Sequence, residues 1–339
     1  MSLTIIAKRL LMACLVIFCV SILTFLATRI LPSDPAALYA GPRATPENIE
    51  IARFELGLDR PLIVQYAQFA GKALTGDFGV SFRTRQPISS DIAKFLPATL
   101  ELVILAMLMA VVIGIPLGVW ASARPKGGVD QTSRIAAIAM ASFPTFWVAM
   151  IFQLVFFKWL DWLPLSGQFS RDTMLFNPIT RVTGFNSVDA ALSGNWAAFR
   201  DVAAHLVLPT LTLSLYPIAL AMRMTRSAMG EVLQERYITT ATAMGISRRT
   251  ILFRFALKNA LPQTLTVLGL TFAFSLTGAV LVEIIFAWPG IGSYVTSAIL
   301  AVDFPVIMAV TLVGTVIYVI VNLLVDLAQA MLDPRVALS

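Results

Sequence analysis

A chain of 339 residues in which 58% are hydrophobic and only 13% charged is too apolar for a water-soluble domain. Its mean hydropathy is +0.82. The net charge of +6 therefore bears first on orientation across a membrane. The basic residues also lack the interleaved aromatics of a nucleic-acid surface, so nucleic acid is not an expected partner.

Six apolar runs are long enough to cross the hydrocarbon core, which takes about 20 helical residues. They are residues 10–28 between Arg9 and Arg29, 102–123 between Glu101 and Arg124, and 135–157 between Arg134 and Lys158. The others are 206–222 between His205 and Arg223, 259–282 between Lys258 and Glu283, and 304–325 between Asp303 and Asp326. The fourth is the shortest and holds Pro209 and Pro217, so it is expected to be kinked or extended at one end. The start of the chain imitates a signal peptide, with Lys8 and Arg9 ahead of an apolar run. That run is longer than a typical signal core and lacks a convincing cleavage site, so it reads as a retained helix. Cys14 and Cys19 both fall in it, five positions apart, which is poor geometry for a mutual disulfide.

Six crossings put both ends on one side. The segments on that side carry 13 Lys or Arg against Asp130, Glu231, Glu235, Asp326 and Asp333, whereas the opposite, longer loops carry 12 basic and 14 acidic residues. Short basic loops stay in the cytoplasm, so both termini are expected there. The sequence thus divides into an N-terminal transmembrane helix (1–29), an external subdomain (30–96) and a membrane core (97–339) with a cytoplasmic loop at about 223–262. In the external part, Thr45 reads as the N-cap of a helix over 46–56 stopped by Gly57. An amphipathic stretch at 62–74 and the glycine-punctuated G-D-F-G-V-S-F-R-T-R-Q-P-I follow. The loop over 287–303, with Pro289, Gly290 and Gly292, fits a re-entrant or surface-lying hairpin better than a span.

Sites for chemistry are scarce. The sole histidine, His205, stands at a membrane edge, and the sequence offers no metal-ligand cluster, G-x-S-x-G, H-E-x-x-H or phosphate-binding G-x-x-x-x-G-K-[ST]. An enzyme is therefore not expected, and no cofactor or metal is expected on this chain. Carboxylates near the membrane are Glu101, Glu283 and Asp326, all at span ends. Intramembrane ionisable groups mark pathways by default, and Glu283, Asp303 and Arg223 are the candidates for a pathway or gate. An ion-coupled carrier would place paired ionisable or broken-helix sites at mid-membrane, a pattern the sequence does not offer.

Residues 223–262 hold seven basic residues (Arg223, Arg226, Arg236, Arg248, Arg249, Arg254, Lys258) against Glu231 and Glu235. Helical spacing over 231–243 puts Val232, Tyr237, Ala241 and Met244 on one face, and the Thr/Ala run keeps the helix slim. Gly245 ends it in a left-handed conformation, and Ser247 caps a second helix over 248–258. That second helix is expected to lie on the membrane with Ile251, Leu252 and Phe255 toward lipid. A helix–Gly–helix of this kind suits docking of a soluble partner; an ordinary basic loop is the alternative.

The blocks R-M-T-R-S-A-M-x-E-V-L, Y-I-x-T-A-x-A-x-G-I and A-L-K-N-A-L-P in this loop resemble the cytoplasmic signature of ABC-transporter permeases of the dipeptide/oligopeptide type. L-P-S-D-P at 31–35, E-L-G-L-D-R-P at 55–61, G-D-F-G-V-S at 76–81 and A-T-L-E-L at 98–102 fit the same family. So do S-F-P-T-F-W at 142–147, L-V-L-P-T-L-T-L at 206–213, E-I-I-F-A-W-P-G-I-G at 283–292, D-F-P-V-I at 303–307, V-N-L-L-V-D-L at 321–327 and D-P-R at 333–335. Length and the stretch at 177–185 look most like the B-type subunit.

The resemblance implies an all-α, six-helix membrane fold of the type I importer class, with an external subdomain after helix 1, in a bacterial inner membrane. It implies as partners a C-type permease, two ATP-binding subunits that carry ATP and Mg, and an external substrate-binding protein. It places coupling to the ATPase at Glu235, Tyr237, Thr239, Thr240, Ala241 and Gly245. Met244 stands where the family usually has lysine, and Thr239 and Thr242 where it has arginines, which weakens charge complementarity with the ATPase. Pro262 falls one place early. Di- or oligopeptides are the implied cargo; nickel complexes, glutathione and opines are alternatives within the family. An ion-driven carrier, or a membrane hydrolase using His205 or Glu283, are the alternatives outside it.

Overall fold

The computed structural model describes residues 3–30, 34–41, 43–125 and 127–332. Among them the regular secondary structure is all helical, apart from an isolated β-bridge between Val80 and Pro87. Among the described residues five helices are long and apolar enough to cross a membrane, and there are six spans if one bent pair of apolar helices is counted as a single crossing.

The first span lies within Leu3–Ile30 and the second within Ile88–Ala123, which starts well before the expected residue 102. The extra residues, Asp91 and Lys94 among them, are too polar to register as a span, yet they are helical and carry Pro97 inside the helix. The third span differs from the single run expected over 135–157. It is a pair, Gly128–Ser142 and Thr145–Trp159, bent by 100°. Pro144 has no amide hydrogen and forces its predecessor out of the helical region, and Phe143 is accordingly extended (φ −78°, ψ 132°).

The fourth span is Trp196–Val232, 37 residues without interruption despite Pro209 and Pro217. At about 1.5 Å per residue it is about 55 Å long, far more than the bilayer needs. It is extended at both ends rather than one. Asn195 caps its start by accepting from the Ala198 amide at 3.1 Å, and Arg223 lies nine residues inside its end. The fifth span, Arg248–Ile285, absorbs the segment that was expected to lie along the membrane, and the sixth is Phe304–Leu332. Ile291–Leu300, ten residues, is too short to cross, in keeping with a hairpin between them.

The described residues form two compact units. One comprises Ala7–Leu96 and Ser293–Val319. Here Thr45 caps Pro46–Glu55 by accepting from the Asn48 amide at 3.3 Å, Gly57 takes φ +63°, and Leu62–Leu74 is helical as expected. His205 belongs to the other unit, where its Nδ1 sits 2.8 Å from the Asp201 carbonyl one turn earlier.

That other unit is built around Pro97–Gly292. The fourth span is its hub, in contact with the second, third and fifth. Second and fourth approach so closely that a Cβ on Gly118 would stand 2.7 Å from both the Met222 carbonyl oxygen and Thr225 Cβ. Gly118→Val should therefore cost about 1–3 kcal/mol through overpacking. It should lower the melting temperature of the detergent-solubilised chain, whereas Gly314→Ala, with nothing within 4 Å of the added methyl, should not.

Candidate functional site

The short helix Arg236–Ala243 is the centre of the site. The chain breaks at Leu233–Glu235 after the fourth span and restarts with Glu235 extended (φ −68°, ψ 146°). At the other end Gly245 takes φ +74°. Its amide donates to the Thr242 carbonyl at 3.0 Å and that of Ile246 to the Ala241 carbonyl at 3.1 Å. This paired closure needs a left-handed residue, which is why glycine stands there. Ser247 then accepts from the Thr250 amide at 3.3 Å, the cap the sequence led one to expect, but what it starts is the fifth span rather than a separate surface helix.

The break at 233–235 resets the helical phase, so the four residues expected on one face divide: Ala241 is buried and Val232 partly buried on one cluster, while Tyr237 and Met244 are exposed. Ile238 and Ala241 point inward, while Glu235, Tyr237, Thr239, Thr240 and Met244 are exposed. The buried pair sits in one apolar cluster with Val119 of the second span, Ala228 and Met229 of the fourth, and Ile251, Leu252, Ala256 and Ala260 of the fifth. Ile251 and Leu252 are thus packed against the helix rather than turned to lipid, and Phe255 is partly buried on the same cluster. A hydrogen bond of 2.7 Å from Asn259 Nδ2 to the Tyr237 hydroxyl adds a polar tie to the fifth span. A groove of about 420 Å³ lies beside the short helix, lined in part by Gln234, Thr242, Ile246 and Arg248.

Next to this platform, Arg226 of the fourth span makes a two-pronged ion pair with Asp130 of the third, Nη2 to Oδ2 at 3.1 Å and Nε to Oδ1. Asp130 is 2% exposed, and Arg134 approaches the same carboxylate at 3.7 Å. Sequence reasoning missed this pair. The pair borders an apolar cavity of about 590 Å³ between third and fourth spans, lined among others by Ala137, Ala141, Tyr216, Ala219 and Arg223. Arg223 is exposed at this cavity.

Glu283 is not among the residues lining it. It is fully buried near the end of the fifth span, where the Thr99 hydroxyl donates to Oε1 and accepts from the Ile291 amide at 2.8 Å. Trp288 Nε1 donates to the Ala98 carbonyl at 3.0 Å, and the Glu283 carboxylate fills the space where any side chain at Gly290 would go. The residues of E-I-I-F-A-W-P-G-I-G thus tie the hairpin to the second span around one carboxylate. Asp303, in the other unit, is 1% exposed and accepts from Ser81 Oγ at 2.6 Å and the Arg83 amide at 3.1 Å. It fastens the 81–85 turn to the start of the last span.

In the loop before the fourth span, Asp189 is enclosed by the amides of Val182, Thr183 and Gly184 at 2.8–3.1 Å and by the Thr183 hydroxyl. Burial alone would raise its pKa, but these donors outweigh burial and hold the carboxyl below its ordinary range.

Residues 114–338 match a family model described as binding-protein-dependent transport system inner membrane component, and residues 2–103 match the N-terminal model for such membrane components. The probable D,D-dipeptide transport system permease protein DdpB of Escherichia coli K12 is 43% identical over 95% of this chain and 94% of its own. The dipeptide transport system permease protein DppB of Alkalihalophilus pseudofirmus OF4 is 40% identical over 97% of this chain and 98% of its own. That of Escherichia coli K12 is 38% identical over 94% of each.

The buried ion pair yields a direct test. Asp130→Asn leaves the Arg226 guanidinium without its countercharge and should cost about 1–3 kcal/mol, read as a lower melting temperature in detergent. Adding Arg226→Gln to that variant should recover part of the loss in a double-mutant cycle.

Proposed function

This chain belongs to the family of binding-protein-dependent transport system inner membrane components, and from that premise we propose that it is the B-type permease of an ATP-driven importer of di- or oligopeptides. It is a multi-pass component of a transport system and not a member of a catalytic family. The peptide reading is supported by the transport systems for which the relatives are named and by their near-complete coverage of the chain. Both termini face the cytoplasm in this reading. A C-type permease completes the pathway, two ATP-binding subunits supply ATP and Mg chemistry, and a substrate-binding protein delivers cargo from outside.

The observation that carries the mechanism is the seating of Ile238 and Ala241 among residues of three spans. Glu235, Tyr237, Thr239 and Thr240 on the outer face meet the ATP-binding subunit. Closure of the ATPase dimer moves this helix, and because its inner face is packed against the second, fourth and fifth spans the motion reaches all three together. The cavity bordered by Arg223 and the Asp130–Arg226 pair is this chain's share of the cytoplasmic side of the pathway. The Glu283 and Asp303 junctions act as fixed points that hold the external ends of the helices. Cargo selection rests with the binding protein, because a peptide of any sequence presents the same backbone dipoles and termini to the pathway.

Gly245 gives the test. Valine there is strained by about 1–3 kcal/mol at φ +74°. In the complete transporter reconstituted in vesicles, Gly245→Val should leave basal ATP hydrolysis within about twofold while peptide uptake falls about tenfold, the kinetic weight of about 1.4 kcal/mol. Normal uptake with normal stimulation of hydrolysis would refute the assignment. Binding assays of the co-purified binding protein with dipeptides, nickel complexes, glutathione and opines test the cargo separately.

A further inference from the structure

Helix Leu62–Leu74 has a wider apolar arc than the protein covers. On a helix of 100° per residue, Gln65, Gln68 and Lys72 share one face, and Ile63, Ala67, Ala70 and Leu74 share the opposite one. The flank between them carries Tyr66 and Phe69, which pack on the first span. Tyr66 and Phe69 contact Phe25 at ring distances of 5.5 and 5.9 Å, Tyr66 also meets Phe18 at 6.4 Å, and the Tyr66 hydroxyl pairs with Ser21 Oγ at 2.8 Å. The face of Ile63 and Leu74 remains 83% and 90% exposed.

The depth of these contacts decides what lies against that face. The first apolar span runs over Ala7–Thr28. Ser21 is therefore about 10 Å, at 1.5 Å per residue, inside its far end. A helix hydrogen-bonded to Ser21 and stacked on Phe25 is held below the boundary of the hydrocarbon, within the 5–10 Å at which interfacial helices sit. Phe18, Leu23 and Leu26 of the span, beside these contacts, are themselves exposed apolar residues, so the uncovered face continues the apolar surface of a membrane span. The internal pairing of Tyr66 with Ser21 is what such a depth requires, since no water is there to satisfy a hydroxyl.

We infer that Leu62–Leu74 is an interfacial helix embedded in the leaflet where the first span ends, with Ile63, Ala67, Ala70 and Leu74 among acyl chains and Lys72 toward headgroup phosphates. On the proposed orientation this is the outer leaflet. The part of the external segment that includes this helix is then a lipid-anchored shelf, and its height above the membrane is set by the bilayer. The inference rests on the chain's being membrane-spanning and not on its cargo.

The test uses the full chain with its partner subunits in phosphatidylethanolamine–phosphatidylglycerol vesicles, in a background where Cys14 and Cys19 are replaced by serine. Single spin labels go on Ile63→Cys, Leu74→Cys, Gln68→Cys and, as a lipid-facing reference, Leu23→Cys. The oxygen-to-nickel-chelate collision ratio at positions 63 and 74 should match that at 23 and exceed that at 68 several-fold. Ratios at 63 and 74 equal to that at 68 would place the face in water and overturn the inference. Low access to both reagents, or protection that appears only when the binding protein is added, would show a protein partner there and overturn it equally.

Discussion

Hydrocarbon offers nothing to a backbone amide, so a chain that crosses it must close its hydrogen bonds within each helix. Here that constraint produces helices much longer than the membrane. The fourth span leaves the apolar layer still helical and carries Ala228 and Met229 to the place where they form one side of an apolar platform. The fifth span begins as part of the same platform, with Ile251 and Leu252, before it enters the membrane. The short helix that rests on this platform is thereby fastened to elements that run the full thickness of the unit. Its eight residues could not be a stable helix alone. Burial of Ile238 and Ala241 is what makes it one.

The polar side chains inside this unit act as fasteners. Asp130 and Arg226 join the third and fourth spans, and Glu283 and Thr99 join the fifth span to the second through the hairpin. A buried ion pair of this kind contributes little net stability compared with apolar packing, but it fixes one pairing of elements over others. Such fixed points suit a machine whose helices must move as blocks.

What could be read in the sequence follows from the range of the interaction concerned. Caps are local chemistry, and Thr45, Gly245 and Ser247 stand where their side chains, or the lack of one, required. Hydropathy gave the number of spans but not their ends, because a helix such as Trp196–Val232 continues through Arg200, Asp201 and Arg223 without regard to where the membrane stops. The bend at Pro144 had its signal in the S-F-P block, yet lay inside an apolar run that masked it. The face shared by Val232, Tyr237, Ala241 and Met244 in the sequence is split in the structure because the turn at 233–235 shifts the register, and Ile238 rather than Tyr237 joins Ala241 inside. The partnership of Asp130 with Arg226 spans 96 positions and leaves no local pattern at all. A lone acid among basic residues was its only trace.

On the function proposed above, the exposed face of Arg236–Ala243 is where an ATP-binding subunit docks. A photo-crosslinking amino acid at Thr239, in the transporter assembled in native membranes, addresses it most directly. A crosslink to the ATP-binding subunit, lost when the same group is placed at the buried Ala228, is the predicted result. Capture of lipid alone from Thr239 would rule out docking at this face.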